Sequence, residues 1–329
     1  MDLLDFWSLG WAEVYPLLPR PFHAFHDYNI NISPDISVSL QKCPLLQADV
    51  YVAPPIPWSK PDGRKGGPWS PISCTLIHGR SEAVLVDTPI TTTQTQQLID
   101  WVKTRIPTKK LITIYITHGH GDHFFGIPLL LQAFPGVQAV ATVATVAHMK
   151  EQLDPKTFRR WTTQFPNQIY TPQTLAQPLP VGNTILLESH IIQAIEVGQA
   201  DTHDSTVLWV PTLKLAVCGD VVYGDVHQML GEVNTREKRA QWIASVRKVE
   251  ALEPALVVPG HKQPHEMDGP FHLAATRRYI EVFEELLDSG ITDPRALSAA
   301  MLERYPTRFN PGALVMGCIA ACQNLGSNL

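Results

Sequence analysis

Three histidines and one aspartate fall within six positions of the segment YITHGHGDHFFG, residues 115–126. They are His118, His120, Asp122 and His123. Imidazole and carboxylate are the ligands that zinc accepts where no thiolate is present. The preceding apolar run LITIYIT is typical of a buried strand, and open α/β sheets place ligand chemistry at the carboxyl ends of their strands. The segment therefore predicts one half of a metal site, with the other half expected downstream.

Three further candidate ligands each follow another strand-like run. His203 lies in EVGQADTHDST, Asp220 ends KLAVCGD, and His261 ends ALVVPGH. A solvated polar loop would explain the first motif alone, but it would not explain these partners at other strand ends. The four motifs in this order predict one shared metal centre.

The order HxHxDH, His, GD and PGH resembles the metallo-β-lactamase fold superfamily of dinuclear metal hydrolases, over roughly residues 72–265. The resemblance implies two Zn²⁺ per chain, although other divalent metals are possible. It assigns His118, His120 and His203 to the first ion, Asp122, His123 and His261 to the second, and Asp220 as the bridge. Asp87, the next-to-last residue of AVLVDT, would support the metal-binding loop from behind. One departure concerns His203, because the common family form has glycine beside this histidine and here the string is ADTHD.

The resemblance also implies a reaction. Two close metal ions lower the pKa of a shared water, and the resulting bridging hydroxide would attack a carbonyl carbon. Asp122 would orient this nucleophile and carry a proton to the leaving group. Tyr223, three residues after Asp220, matches a tyrosine that polarises the substrate carbonyl in acyl-homoserine lactone hydrolases, with a core aromatic as the alternative. The expected activity is hydrolysis of a small-molecule lactone, lactam, ester or thioester.

Two other functions stay open. A mononuclear iron dioxygenase of the persulfide type shares the scaffold but would leave Asp122 or His261 without a role. A non-catalytic, metal-stabilised binding protein is the second alternative, and the complete ligand set disfavours it.

Three residues outside the metal set are candidates for the substrate pocket. Trp58 and Trp69 lie in a proline- and glycine-rich segment, residues 53–71, which is expected to be a loop. They would form a pocket wall or lid, or else pin this loop to the body. His227, seven residues past Asp220, would either reach the pocket or lie on the following loop.

The elements that must position these residues predict an α/β protein. Strand-like runs interleaved with helical periodicity favour a layered sandwich with some antiparallel pairing. Together with the resemblance, they imply a four-layer αβ/βα sandwich. Residues 1–71 are expected to form an N-terminal extension with the loop, residues 72–265 the catalytic core, and residues 266–329 C-terminal helices of the same domain.

Composition indicates which partners and which location to expect. A net charge of -5 and a pI near 6.2 give no basic footprint for nucleic acid. No apolar run has the roughly 20 residues of a membrane helix, and Asp2 and Asp5 stand where a signal peptide has positive charge. The five cysteines form no CxxC pair. We therefore expect a cytoplasmic protein with a small-molecule substrate and neither a nucleic-acid nor a membrane partner; its oligomeric state is left open.

Overall fold

The computed structural model describes residues 46–60 and 62–327. The first 45 residues lie outside this part of the chain, and with them most of the expected N-terminal extension and the acidic segment bearing Asp2 and Asp5. Within the described ranges, no helix has both the length and the apolar character that a membrane crossing requires.

A first sheet holds six strands in the order β1-β4-β5-β6-β7-β8. The short apolar runs SCTLIHG and EAVLVDT, with polar residues between them, predict a β-hairpin, and β4 and β5 do pair antiparallel. From β5 onward the neighbouring strands pair parallel, so that β5 and β6 end at the same edge. The bounds are β1 (Gln47–Ala53), β4 (Ile72–His78), β5 (Glu82–Val86), β6 (Lys110–Tyr115), β7 (Gln138–Ala141) and β8 (Gln177–Pro178).

A second sheet holds five strands in the order β13-β12-β11-β10-β9. Its strands pair antiparallel except β12 and β13, which run parallel and end together. The bounds are β9 (Thr184–Leu187), β10 (His190–Gly198), β11 (Ser205–Val210), β12 (Leu215–Val217) and β13 (Leu256–Val258).

Three apolar cores show the layers. One core lies between the sheets, where Val84 and Tyr115 of the first meet Leu208 and Val217 of the second. A second core packs the outer face of the first sheet against helices, and a third does the same for the second sheet. This is the predicted four-layer αβ/βα sandwich. The helices are α1 (Thr92–Arg105), α2 (Gly121–Phe124), α3 (Ile127–Ala133), α4 (Val143–Gln152), α5 (Pro155–Gln164), α6 (Arg236–Glu250), α7 (Phe271–Asp288), α8 (Pro294–Arg304) and α9 (Pro311–Ser327).

The segment 53–71 differs from the predicted loop. It forms a small antiparallel hairpin of β2 (Pro57–Ser59) and β3 (Lys65–Pro68). The reason is the glycine at position 66: a Cβ there would lie 2.3 Å from the Trp58 ring, so only glycine lets this indole pack on the opposite strand. Trp58 thus holds the hairpin together.

Candidate metal centre

The carboxyl ends of parallel strands bring the predicted motifs to one edge of the molecule. Asp87 follows β5, the HGHGDH motif follows β6, and Asp220 and His261 follow β12 and β13. The two sheets are tied together at this edge, because the Thr206 hydroxyl and amide both donate to the Thr117 carbonyl, at 2.6 and 3.0 Å.

The first group of converging ligand atoms comprises His118, His120, Asp201 and Asp220, all within 4.8 Å of one another. His118 Nδ1 lies 3.0 Å from the Thr117 hydroxyl, and its Nε2 is buried without a hydrogen-bond partner. His120 Nδ1 lies 3.0 Å from Asp201 Oδ2, and its Nε2 lies 3.3 Å from Glu232 Oε1.

The second group comprises Asp122, His123 and His261. His123 Nδ1 lies 3.0 Å from Asp87 Oδ2, and its Nε2 faces the centre. His261 repeats this arrangement, with Nδ1 donating to the Pro71 carbonyl at 2.9 Å. Asp220 contacts both rings, with Oδ1 3.2 Å from His123 Nε2 and Oδ2 3.2 Å from His261 Nε2.

These contacts fit ligands that converge on ions better than they fit hydrogen bonds. Asp220 Oδ1 and both oxygens of Asp201 accept no hydrogen bond, although imidazole nitrogens lie close to them. Ligands about 2 Å from a tetrahedral metal ion lie about 3.3 Å from one another, similar to the spacing found here. Each imidazole also has one nitrogen held by a protein oxygen, which is how metal-binding histidines are usually oriented.

The charges of the site also call for cations. Asp122, Asp201 and Asp220 are buried, and their ion-pair partners in the described structure are imidazoles rather than Lys or Arg. Burial raises the pKa of Asp201 to about 7, against the opposing charge of His120. Burial acts in the same direction on Asp220, but the charges of His261 and His123 outweigh it and hold the pKa of Asp220 well below its usual value. Bound divalent ions would compensate these buried carboxylates.

The structure does not bring His203 into either group, contrary to the sequence prediction, but places it with His148 and Glu151 in a separate set of possible ligands. Its side chain is 47% exposed, and it contacts Glu151 and Asp204. The physical reason is the turn between β10 and β11, where the Ala200 amide donates to the Thr202 carbonyl at 2.8 Å. This turn buries Asp201 and leaves His203 on the outside.

Asp201 and Glu232 were missed by the sequence analysis. A signal for Asp201 was present, because it directly follows a small buried residue, Ala200, much as the family ligand neighbours a glycine. Glu232 had no sequence signal. It reaches the site from the loop before α6, where it accepts a 2.7 Å hydrogen bond from the Thr202 hydroxyl.

Asp87 lies where the sequence predicted, directly behind the metal-binding loop. It accepts hydrogen bonds from the amide and the hydroxyl of Thr117, both at 2.8 Å, in addition to its contact with His123. Its backbone is left-handed, with φ 60°. Aspartate tolerates this conformation better than most residues, and the three contacts hold it there.

A cavity of about 440 Å³ opens over the two groups. Its walls include Arg160 and Trp161 of α5 and Met316 and Ile319 of α9. Of the predicted pocket residues, Trp69 and His227 line this cavity, but Trp58 is absent from its described lining, because it packs on the hairpin.

Two aromatic residues of the cavity contact the ligand groups. The Trp69 indole donates to Asp122 Oδ2 at 2.9 Å. The Tyr223 hydroxyl donates to Asp220 Oδ2 at 2.6 Å, and the ring stacks on His261. Burial and the neighbouring Asp220 raise the pKa of Tyr223 well above its usual value. Its proton is therefore directed at the carboxylate in this structure.

Comparison with known proteins identifies the class. The sequence profile of the metallo-beta-lactamase superfamily matches residues 67–261, and the chain belongs to this superfamily. A type 2 metallo-beta-lactamase of Bacteroides fragilis is 27% identical over 194 residues, which are 58% of this chain and 69% of that protein.

Two solved structures share the fold. A metallo-beta-lactamase family protein from Thermus thermophilus has a TM-score of 0.59 at 17% identity, with coverage of 85% of this chain and 93% of the other. The DIM-1 metallo-beta-lactamase has a TM-score of 0.53 at 21% identity, with coverage of 74% and 99%. At these identities the likeness shows the fold alone.

Proposed function

We propose that this protein is a zinc-dependent hydrolase with two Zn²⁺ per chain, acting on a small-molecule lactone, lactam, ester or thioester. One observation carries the proposal. Two groups of imidazole and carboxylate ligands, both in contact with Asp220, form the floor of a cavity that a small molecule can enter.

The residues of the site would have separate roles in the reaction. When bound, two divalent ions supply Lewis acidity and lower the pKa of a water that they share. Asp122 stands at the cavity floor, where the Trp69 indole fixes the direction of its carboxylate. From there it would orient the nucleophile and then carry a proton to the leaving group. Tyr223 would hold Asp220 in place and turn to the substrate carbonyl only if it releases that carboxylate.

The size and lining of the cavity support a small substrate. Ligand cavities for small molecules measure about 300–1,000 Å³, and this one lies within that range. Met316 and Ile319 give one wall an apolar surface, and both are 40% exposed. A substrate with an apolar group attached to its reactive carbonyl would fit this combination.

The alternatives make different use of the same residues. A mononuclear iron dioxygenase would need one ligand group only, whereas Asp122, His123 and His261 form a second group here. That second group favours the dinuclear hydrolase. A metal-stabilised binding protein would use the same cavity but would need no aspartate on its floor to orient a nucleophile.

The test combines metal analysis with a substrate panel. The full-length protein is first analysed, as purified, for bound metal and for oxygen uptake on a persulfide. It is then loaded with zinc, counted for zinc, and assayed against lactones, lactams, esters and thioesters. We expect about two zinc ions per chain and hydrolysis of at least one class. A single iron with oxygen uptake on a persulfide would establish the dioxygenase instead. A protein that carries two zinc ions and hydrolyses nothing would point to a binding role.

A pair of tryptophan variants tests the catalytic position of Asp122. W69F removes the hydrogen bond to Asp122 and keeps an aromatic ring against Trp161 and Phe165. A hydrogen bond to a charged group is worth about 1.5–3 kcal/mol, so we expect kcat to fall by roughly 10- to 100-fold. W101F, on α1 and absent from the cavity's described lining, is the matched control and should keep the wild-type kcat. Equal effects of the two changes would show that the indole bond has no catalytic role.

A further inference from the structure

We infer that Asp201, and not a third histidine, completes the first metal subsite, which gives both subsites two imidazoles and one carboxylate around the shared Asp220. The inference rests on the proposed dinuclear site and deepens it. His118, His120 and Asp201 would face one ion, and Asp122, His123 and His261 the other.

Apart from its contact with His120, the side chain of Asp201 has no polar partner in the described structure. It is 1% exposed, and neither of its oxygens accepts a hydrogen bond. Its Oδ2 lies 3.0 Å from His120 Nδ1. A buried carboxylate without hydrogen bonds destabilises a fold strongly unless a cation balances it. Coordination of an ion supplies this balance and explains why Asp201 points inward.

His203 cannot take this place without rebuilding the turn. Thr202 separates the two residues, and its hydroxyl is bound to Glu232 at 2.7 Å. The Thr202 carbonyl accepts from the Ala200 amide at 2.8 Å and from the Ser205 hydroxyl at 3.1 Å. These three bonds fix the turn in the arrangement that directs residue 201 to the centre. His203 instead packs its ring on His148, with 4.2 Å between ring centroids.

Glu232 supports both the turn and a neighbouring ligand through hydrogen bonds. Its Oε2 accepts from Thr202, and its Oε1 lies 3.3 Å from His120 Nε2. His120 would thus use Nδ1 for the ion while its Nε2 is held by a carboxylate, an arrangement common at metal sites. One residue therefore positions both the turn that carries Asp201 and the neighbouring ligand.

Replacing a neutral imidazole by a carboxylate changes the charge of the centre. Asp122, Asp201 and Asp220 carry three negative charges, against two if residue 201 were histidine. Carboxylate ligands suit harder ions such as Mn²⁺, whereas imidazole suits zinc. The first subsite is therefore expected to accept Mn²⁺ more readily, relative to zinc, than a site with three histidines would.

The experiment measures metal binding without reference to catalysis. Full-length wild type and the variants D201N, D201H and H203A are stripped with a chelator and titrated with zinc, with metal counted per chain after dialysis. We expect wild type and H203A to bind about two ions, and D201N to bind one ion at least about 100-fold more weakly. Loss of an ion from H203A together with two tightly bound ions in D201N would overturn the inference.

The D201H variant keeps the inference testable if D201N does not fold. In competition between equal concentrations of Zn²⁺ and Mn²⁺, we expect the bound Zn:Mn ratio to rise by about 10-fold in D201H relative to wild type. An unchanged ratio would refute the role of Asp201 in selecting the metal. A wild type that binds two ions but hydrolyses no substrate would refute the proposed function and leave this inference standing.

Discussion

Asp87 shows how one residue outside the ligand set organises the centre. It occupies a left-handed backbone conformation and gathers contacts from Thr117 and His123. Its carboxylate fixes which nitrogen of His123 faces the ligand groups and also holds the start of the motif loop. The geometry of the second ligand group therefore depends on a residue outside that group.

We predict that D87N weakens metal binding at the second subsite by roughly 10- to 100-fold, the usual effect of losing such a support. Asparagine tolerates the left-handed backbone, so the loss is expected to come from the hydrogen bonds. Competition with a chromophoric chelator measures the affinity. D204N is the matched control, since Asp204 also has φ 54° and is 46% exposed. Equal affinities in wild type and D87N would show that His123 needs no support.

His227 is a buried base whose titration should be visible in stability. Its Nδ1 lies 2.9 Å from the Tyr279 hydroxyl, and Arg308 is nearby. Burial, and next the Arg308 charge, lower the pKa of His227 to about 4 from its ordinary value of 6.5. The folded protein therefore disfavours the proton that the unfolded chain accepts.

We predict that this difference makes the protein less stable as the pH falls from about 6.5 to about 4. Above pH 6.5, His227 is neutral in both the folded and the unfolded protein, and it does not change the stability with pH. Between these values only the unfolded state is protonated, so the free energy of unfolding falls by up to about 3 kcal/mol. Urea unfolding of wild type and H227Q at several pH values tests this, and the variant should show the flatter dependence. The same pH dependence of the free energy of unfolding in both proteins would show that His227 does not cause it.

At the scale of elements, the parallel strands β12 and β13 deliver Asp220 and His261 to the centre through two glycines. Gly219 has φ 48°, and a Cβ there would lie 2.3 Å from the Thr117 hydroxyl oxygen. A Cβ on Gly260 would lie 2.2 Å from Asp220 Oδ1 and 2.5 Å from the Gly219 carbonyl carbon. The two strand ends approach this closely only because both residues lack side chains.

We predict that G260A displaces Asp220, lowers metal content and destabilises the fold by about 1–3 kcal/mol, the range for overpacking. The crowded atoms include backbone, so a side-chain shift alone does not relieve them. Metal analysis and urea unfolding measure the two effects. G67A is the control, because its Cβ would meet nothing closer than 4.0 Å. Wild-type metal content in G260A would contradict this account of the strand ends.

The elements also show what the sequence could predict. The β4–β5 hairpin and the strand before the motif follow from short apolar runs, and the sequence also predicts a helix near residues 236–252; all three are present, the helix as α6. The strands β1, β2, β3 and β8 were missed, because edge and hairpin strands are half-exposed or very short and carry little periodic signal. Proline and glycine also argued against β2 and β3, although a two-stranded hairpin tolerates both.

The ligands of the site were also predicted only in part from the sequence. The order of the motifs predicted six residues that the structure places in the two ligand groups, because each motif follows a strand and the strand ends converge. These residues are His118, His120, Asp122, His123, Asp220 and His261. Residue type favoured His203 as a ligand, whereas the backbone of the turn after β10 directs Asp201 inward. Spacing of two residues in an irregular turn carries no information on which side chain faces inward.

At the scale of the whole molecule, the candidate metal centre lies outside the apolar cores that pack the sheets and helices. Three separate apolar cores hold the four layers, and the ligands occupy one edge of this sandwich. Loss of ions would expose repulsion among buried carboxylates at that edge without removing core packing. Bound metal should therefore raise the free energy of unfolding, although the sheets are expected to form without it.

We predict that a chelator lowers the melting temperature and leaves the far-UV circular dichroism at room temperature unchanged. An ion present at about 1,000 times its Kd adds about 4 kcal/mol to the free energy of unfolding, and removal should lower the melting temperature by roughly 8 °C. Adding zinc back should restore it, and magnesium, which prefers oxygen ligands, should not. Loss of the dichroism signal on chelation would mean that the sheets depend on the metal. An unchanged melting temperature would mean that the centre contributes nothing to stability, even though three buried carboxylates converge there.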